Sequence, residues 1–264
     1  MAFEYKTAVI TGGASGIGKA IAIDLARRGV NLMLADVEAG ALRVAAEEAR
    51  ILGVEVHTQH CDVSRREAVL ELADAAFAAL GRVDLLFNNA GVAMGGALQD
   101  VRHEDWQWVL GVNLWGVIHG IEAFVPRMIA QGGAGHIVNT ASMAGLIASQ
   151  GLGIYNTSKY AVVGLSETLA KDLRDTGIGV TVLCPMGVQT RITESERTRP
   201  QTLDYEGDHH ASPDLLGRYL TPEQVSAMVM QAIEARQLYL PTHHEGREFW
   251  ERRAQRITGA FPAE

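Results

Sequence analysis

The sequence predicts one α/β domain in which helices cover both faces of a parallel, doubly wound sheet of about seven strands. Short apolar runs alternate with longer segments of helical periodicity, which is typical of consecutive βαβ units. The length of 264 residues suits one domain of this class, and no linker or internal repeat divides it. We therefore expect residues 1–264 to share one sheet.

Seven short runs rich in apolar and β-branched residues are the predicted strands, over 7–10, 31–36, 54–62, 83–89, 136–142, 180–185 and 238–241. Five segments between them repeat apolar residues three and four positions apart and predict helices over 17–28, 39–52, 66–80, 104–130 and 155–175. Another helix is expected from Thr221 to about residue 236, because Thr221, Pro222 and Gln224 form a helix-start pattern with a capping box.

The segment from 191 to 220 interrupts this alternation. It is rich in Arg, Glu, Thr, Asp and His, and it has prolines at positions 200 and 213. Irregular stretches of about thirty residues inside a compact domain are usually functional or mobile. We expect this segment to be a mobile lid over the substrate.

The charge balance and composition exclude several kinds of partner. Lys and Arg total 23 against 31 Asp and Glu, and the net charge of −8 opposes binding to nucleic acid or to anionic membrane surfaces. No uncharged apolar stretch reaches a membrane span of about 18 residues, and the first apolar run is too short for a signal sequence. We expect a cytoplasmic protein in which Cys61 and Cys184 are reduced and buried.

A glycine-rich turn, TGGASGIG at residues 11–18, joins the first strand to the first helix. Glycine lets the backbone approach a pyrophosphate, and the helix N-terminus supplies free N–H groups for the anion. We predict dinucleotide contacts from Gly12, Ser15, Gly16, Ile17 and Gly18. The spacing differs from the common G-x-G-x-x-G pattern, so a plain glycine-rich turn stays an alternative.

Asp36 ends the second strand 18 residues after Gly18, where a carboxylate would accept hydrogen bonds from the ribose hydroxyls of adenosine. The same charge repels a 2′-phosphate, and Ser15 and Val37 place no Lys or Arg beside it. We therefore expect NAD rather than NADP as the cofactor. An exposed Asp at a strand end is the alternative.

Tyr155 and Lys159 stand four residues apart at the start of a predicted helix, so both side chains share one helical face. A nearby ammonium stabilises phenolate and suits Tyr for general acid/base work. A half-buried Tyr beside a solvated Lys is the alternative reading.

Together these segments resemble the short-chain dehydrogenase/reductase family over nearly the whole chain. The matching segments are TGGASGIG at 11–18, Asp36, CDV at 61–63, NNAG at 88–91, GVNLWG around Asn113, NTASMAG at 139–145, YNTSK at 155–159 and PMGVQT at 185–190. The resemblance implies a Rossmann fold and an NAD-dependent oxidoreductase that interconverts a secondary alcohol and a ketone. It also implies a homo-oligomer, a tetramer or a dimer. Residues 111–138 are further similar to bacterial dehydrogenases that act on benzylic alcohols of lignin-derived aryl ethers.

By this resemblance, Tyr155 is the acid/base and Ser142 holds the substrate oxygen. Lys159 lowers the pKa of Tyr155 and binds the nicotinamide ribose, and Asn113 holds a proton-relay water. The implied cofactor contacts are Asp62, Val63, Asn89, Ala90, Gly91, Tyr155, Lys159, Pro185, Val188 and Thr190.

One position departs from the family pattern. Met186 follows Pro185 where the family usually has Gly, and a glycine comes one place later at Gly187. Met186 either faces the substrate pocket or fills core space.

The sequence disfavours three alternatives. A catalytically idle NAD-binding regulator is disfavoured because Ser142, Tyr155, Lys159 and Asn113 are all present. A nucleotide-sugar epimerase or dehydratase normally needs a larger C-terminal part than this chain has. A metal site is not expected, although His209-His210 and His243-His244 are the obvious candidates.

Overall fold

The computed structural model describes residues 4–205 and 218–262. Seven parallel strands form one sheet in the order β3-β2-β1-β4-β5-β6-β7. The strands are β1 (Thr7–Thr11), β2 (Asn31–Asp36), β3 (Val56–His60), β4 (Leu85–Asn88), β5 (Gly135–Thr140), β6 (Ile178–Cys184) and β7 (Tyr239–Pro241). The chain order reverses between β1 and β4, and ligands bind outside the carboxyl ends of strands at such a point. The predicted fold class is confirmed.

The helices that connect the strands are α1 (Gly16–Arg27), α2 (Ala39–Arg50), α3 (Arg66–Leu80), α4 (His103–Leu110), α5 (Gly116–Gln131), α6 (Gly153–Asp172) and α7 (Pro222–Glu234), and α8 (Gly246–Thr258) follows the last strand. The predicted capping box at the start of α7 is present, with Thr221 and Gln224 bonding reciprocally. Two expectations need correction. The single helix expected over 104–130 is divided by a π-helical turn, Gly111–Trp115, and α8 was not predicted at all.

Alternate residues of the central strands point to opposite faces of the sheet and pack against different helices. Ile10 in β1 and Leu34 in β2 belong to a buried cluster that includes side chains of α1, α2 and α7. Val9 and Met33, their neighbours in sequence, pack in a second cluster with side chains of α3 and α5. These two apolar layers hold the carboxyl ends of the strands in place.

The segment after β6 is more structured than the sequence suggested. It forms two 3₁₀ helices, Arg191–Thr198 and Gln201–Leu203. Residues 206–217 of the predicted lid, including His209 and His210, lie outside the described residues. The role of the segment as a lid stays a prediction.

Helix length and composition give one candidate membrane span within the described residues, from His103 to Gln131. More than half of its most apolar window is buried inside the protein, as is usual for a core helix that passes the same test. Cys61 and Cys184 are both buried and free.

Candidate active site

The glycine-rich turn lies at the carboxyl end of β1 and leads directly into α1. Gly12 has a φ of 66°, in the left-handed region that favours glycine. A Cβ on Gly18 would lie 2.2 Å from the carbonyl oxygen of Gly12, so this close approach excludes any other residue. The turn therefore leaves a cradle of bare backbone at a helix N-terminus, which fits a dinucleotide pyrophosphate.

Thr11 and Asn89 brace this cradle from the neighbouring strand. The Thr11 hydroxyl accepts hydrogen bonds from the N–H groups of Asn89 at 3.0 Å and Ala90 at 3.2 Å. The Asn89 amide in turn donates to the carbonyl oxygens of Thr11 at 3.0 Å and Gly12 at 3.3 Å. Residues 89–91 thus line the same groove as the glycine turn, as the resemblance implied. The bracing role of Thr11 was not foreseen, because only the fold brings it to Asn89.

Asp36 lies at one end of the groove, at the carboxyl end of β2. Its two carboxylate oxygens accept hydrogen bonds from the N–H groups of Ala14 and Glu38, both at 3.0 Å. Asp62 and Val63 line the groove as well, and the Asp62 carboxylate is held by Ser64. The residues predicted to contact adenosine are therefore brought together.

Ser15 and Val37 place no Lys or Arg beside Asp36, but the fold brings two arginines to Glu38, two residues further along the chain. Arg197 pairs with Glu38, with Nη2 and Oε2 2.8 Å apart, and Arg191 reaches the same carboxylate with Nη1 3.5 Å from Oε1. The Arg197 hydrogen bond lowers the pKa of Glu38. These arginines come from the segment after β6, so their distance along the chain hid them from the sequence argument.

Tyr155 lies in α6 with its side chain buried. Burial raises the pKa of its phenol to about 12, although a hydrogen bond with Ser142 acts in the opposite direction. The Ser142 hydroxyl donates to the carbonyl oxygen of Pro185 at 3.2 Å and accepts from the N–H of Ala144 at 3.1 Å. Ser142 is held just beyond β5, beside the phenol.

Lys159 lies one turn further along α6 and is 2% exposed. Its ammonium donates a hydrogen bond to the carbonyl oxygen of Thr140 at 2.9 Å. Burial lowers its pKa to about 8. The solvated-Lys alternative is therefore wrong.

Asn113 lies in the π-helical turn between α4 and α5, with its side chain fully buried. Its amide oxygen accepts from the N–H of Val92 at 2.8 Å. Its amide nitrogen donates to the Val92 carbonyl oxygen at 2.9 Å and to the Ser158 hydroxyl at 3.1 Å. Both N–H donors are engaged, so the side chain offers no donor to the predicted relay water. Asn113 joins the chain after β4 to α6 beside Tyr155, and its role in holding a relay water stays a prediction.

A second cavity, of about 420 Å³, opens next to the groove. Ser142, Tyr155 and Met186 line it, and Tyr155 and Thr190 also line the groove. None of the described residues around this second cavity carries a charged side chain. Phe249 of α8 lines it as well, which sequence reasoning missed together with the helix.

The loop that carries Met186 is fastened by His243. His243 is buried, and its Nδ1 accepts from the N–H of Met186 at 3.4 Å while Nε2 donates to the carbonyl oxygen of Arg218 at 3.0 Å. Val188 follows in an isolated bridge with Leu220. Within residues 4–205 and 218–262, no three His, Cys, Asp or Glu side chains are grouped to hold a metal ion.

A model of the family described as short chain dehydrogenase matches residues 6–201. The chain belongs to the short-chain dehydrogenase/reductase family. It is 36% identical over 262 residues to the C alpha-dehydrogenase of Sphingobium sp.. The matched region covers 97% of this chain and 86% of that relative.

Solved structures of the family have the same fold. A short-chain dehydrogenase/reductase from Burkholderia phymatum in complex with NAD is 42% identical, with a TM-score of 0.93 over 100% of this chain and 99% of its own. The alcohol dehydrogenase of the archaeon Thermococcus sibiricus, complexed with 5-hydroxy-NADP, is 28% identical, with a TM-score of 0.75 over 90% of this chain and 94% of its own. The protein is thus an oxidoreductase of a family that acts on the CH–OH group of small-molecule donors with NAD or NADP.

Proposed function

We propose that this protein interconverts a secondary alcohol and a ketone with NAD, and that Tyr155 is its acid/base. The observation that carries the proposal is the position of Tyr155. It lies where the glycine-cradled groove meets the uncharged cavity, within hydrogen-bond reach of Ser142 and one helical turn before buried Lys159.

In the proposed mechanism, Ser142 and Tyr155 hold the substrate oxygen between their two hydroxyls. Burial raises the pKa of Tyr155, so the phenol is protonated at neutral pH and donates its proton as a ketone is reduced. In the reverse direction Tyr155 removes the alcohol proton. A bound nicotinamide would supply the hydride for ketone reduction, or take it up in alcohol oxidation, at the carbon that bears this oxygen.

Lys159 holds its ammonium next to Tyr155 and at the groove wall, where it binds the nicotinamide ribose under this proposal. Asn113 orients this part of α6 through Ser158, whose hydroxyl donates to the carbonyl oxygen of Tyr155 at 2.8 Å. Asn113 is a positioning residue in this scheme, because its side chain is engaged by Val92 and Ser158.

The substrate is an uncharged, mainly apolar alcohol or ketone. Met186 and Phe249 line the cavity, and none of its described lining residues carries a positive charge that could neutralise a phosphate or carboxylate. The segment after β6 contributes Thr190 and Ile192 to the wall, which supports its proposed role as a lid.

The cofactor preference for NAD rests on Asp36. Its carboxylate lies at the adenosine end of the groove and would accept from ribose hydroxyls while repelling a 2′-phosphate. The NAD complex of the Burkholderia phymatum relative favours the same cofactor.

We further propose that the protein is a cytoplasmic homo-oligomer. Trp115, directly before α5, and Ile129, in the last turn of α5, are 52% and 46% exposed, which suits a face that packs against a second copy. Light scattering after gel filtration tests the oligomer, and a monomer at micromolar concentration would contradict it.

The deciding experiment incubates the purified protein with NAD or NADP and a panel of secondary alcohols, followed at the absorbance of the reduced nucleotide. We expect the protein to oxidise neutral alcohols with NAD. We expect no turnover of the carboxylated or phosphorylated analogues of these alcohols. Tight NAD binding without turnover of any alcohol or ketone would favour the idle regulator instead. Equal use of NADP would contradict the assignment to Asp36.

A further inference from the structure

We propose that Glu38 is a specificity-determining residue: it neutralises Arg197 at the adenosine end of the groove and so prevents this arginine from binding the 2′-phosphate of NADP. The inference rests on the proposed function only in that the groove binds a nicotinamide dinucleotide. The inference concerns the pair of Glu38 and Arg197, which is separate from the proposed role of Asp36 in cofactor preference.

Glu38 is joined to Asp36 through its own backbone, since its N–H donates to the Asp36 carboxylate at 3.0 Å. Its side chain turns to Arg197, with both carboxylate oxygens engaged by that guanidinium at 3.2 and 2.8 Å. Asp36, Glu38, Arg191 and Arg197 all line the same groove. Two carboxylates and two guanidiniums therefore lie together at the adenosine end of the groove, where NAD and NADP would differ.

The two arginines are not equivalent. Arg191 has a second acidic partner, because its Nε lies 2.8 Å from the Glu194 carboxylate. Loss of Glu38 would therefore leave Arg191 neutralised. Among the described residues, Arg197 forms an ion pair with Glu38 and with no other carboxylate.

Arg197 is also held in place independently of Glu38. Its Nη1 donates to the carbonyl oxygens of Arg191 and Glu194, both at 2.9 Å. Replacement of Glu38 by Gln would thus leave an oriented guanidinium facing the groove. A guanidinium binds phosphate oxygens as a two-pronged donor, so the change should create a phosphate site from residues already present.

The test measures dissociation constants of NADH and NADPH by nucleotide fluorescence, without any substrate. For Glu38→Gln we expect NADPH to bind about tenfold more tightly than to wild type, which corresponds to about 1.4 kcal/mol. NADH binding should change by less than about threefold, since the Glu38 side chain is committed to Arg197. The matched control is Glu47→Gln, which removes an exposed partner of Arg50 outside the groove and should alter neither constant.

A second substitution tests whether Arg197 is the cation that binds the 2′-phosphate of NADPH. Arg197→Gln in the Glu38→Gln background should abolish the gain for NADPH. Unchanged NADPH binding by Glu38→Gln, equal weakening of both nucleotides, or a gain that survives loss of Arg197 would overturn the proposal. If the wild-type protein binds NADPH as tightly as NADH, the proposed cofactor preference is wrong. The ratio of the NADPH dissociation constants of Glu38→Gln and wild type still tests the role of Glu38.

Discussion

The Lys159 ammonium lies 5.6 Å from the centre of the Tyr155 ring, yet its hydrogen bond goes to the carbonyl oxygen of Thr140 at 2.9 Å. Burial lowers the pKa of Lys159 to about 8 and raises the pKa of Tyr155 to about 12. At neutral pH both groups carry their protons. The proposed acid is therefore already in its proton-donating form for ketone reduction, whereas alcohol oxidation requires Tyr155 to release its proton first.

Replacement of Tyr155 by Phe removes the phenolic hydroxyl and keeps the ring. We expect kcat to fall by at least about 100-fold, the range for a lost general acid/base, while the Kd of NADH stays nearly constant. The matched control is Tyr160→Phe, on the same helix, where the ring faces Arg253 instead. Retention of more than about a tenth of the wild-type kcat would remove Tyr155 from its proposed role.

Replacement of Lys159 by Met tests the cost of burying its charge. The unfolded chain keeps this proton up to about pH 10.5 and the folded protein only up to about pH 8, so the group's contribution to the free energy of unfolding rises with pH between these values. Below pH 8 the cost is fully present. We therefore expect Lys159→Met to be more stable than wild type by about 1 to 3 kcal/mol at pH 7, even with the bond to Thr140 lost.

Urea unfolding at pH 7 and at about pH 10 measures this difference, which should shrink at the higher pH. Lys171→Met, at the exposed end of α6, should show no such pH dependence. A Lys159→Met variant that is less stable than wild type by the same amount at both pH values would show that the hydrogen bond to Thr140 outweighs the buried charge.

Arg199 anchors the segment after β6 to α4. Its guanidinium lies 2.8 Å from the Asp105 carboxylate and 4.2 Å from the centre of the Trp108 ring, and both charged side chains are almost fully buried. Arg199→Met leaves Asp105 buried without this partner, which should cost about 3 to 5 kcal/mol in the free energy of unfolding.

Hydrogen exchange should show residues 191–205 protected in wild type and unprotected in Arg199→Met. Arg174→Met removes a fully solvated ion pair with Asp175 and should change neither stability nor exchange. Rapid exchange of this segment in the wild-type protein would show that Arg199 does not anchor it.

Phe249 and Met186 should set the size of substrate that the cavity accepts. Phe249→Ala should lower kcat/KM for a bulky neutral alcohol by about tenfold through KM, because it removes an apolar wall that small alcohols do not reach. Trp250→Ala is the matched control, since this exposed neighbour does not line the cavity. Met186→Gly should extend turnover to larger substrates. Equal effects of the Phe249 and Trp250 variants would assign α8 a structural role only.

Much of the fold and part of the site could be predicted because their signals are local. Alternation of apolar runs and helical periodicity predicted the parallel sheet, and the spacing of Tyr155 and Lys159 placed both on one face of α6. The π-helical turn around Asn113 escaped, because apolar periodicity continues through it. The α8 helix escaped because Gly246 is its only fully buried residue, so no apolar stripe marks it.

The sequence pattern predicted which side chains lie at the ends of strands, because residues close in sequence determine where a strand ends and a helix begins. The sequence pattern could not predict which side chains contact each other across the groove. Glu38 and Arg197 are 159 residues apart, and an ion pair between two half-buried side chains needs no periodic pattern in either segment. The packing of the segment after β6 against α4 and its ion pairs with Glu38 at the start of α2 bring the two side chains together, and with them the charges at the adenosine end of the groove.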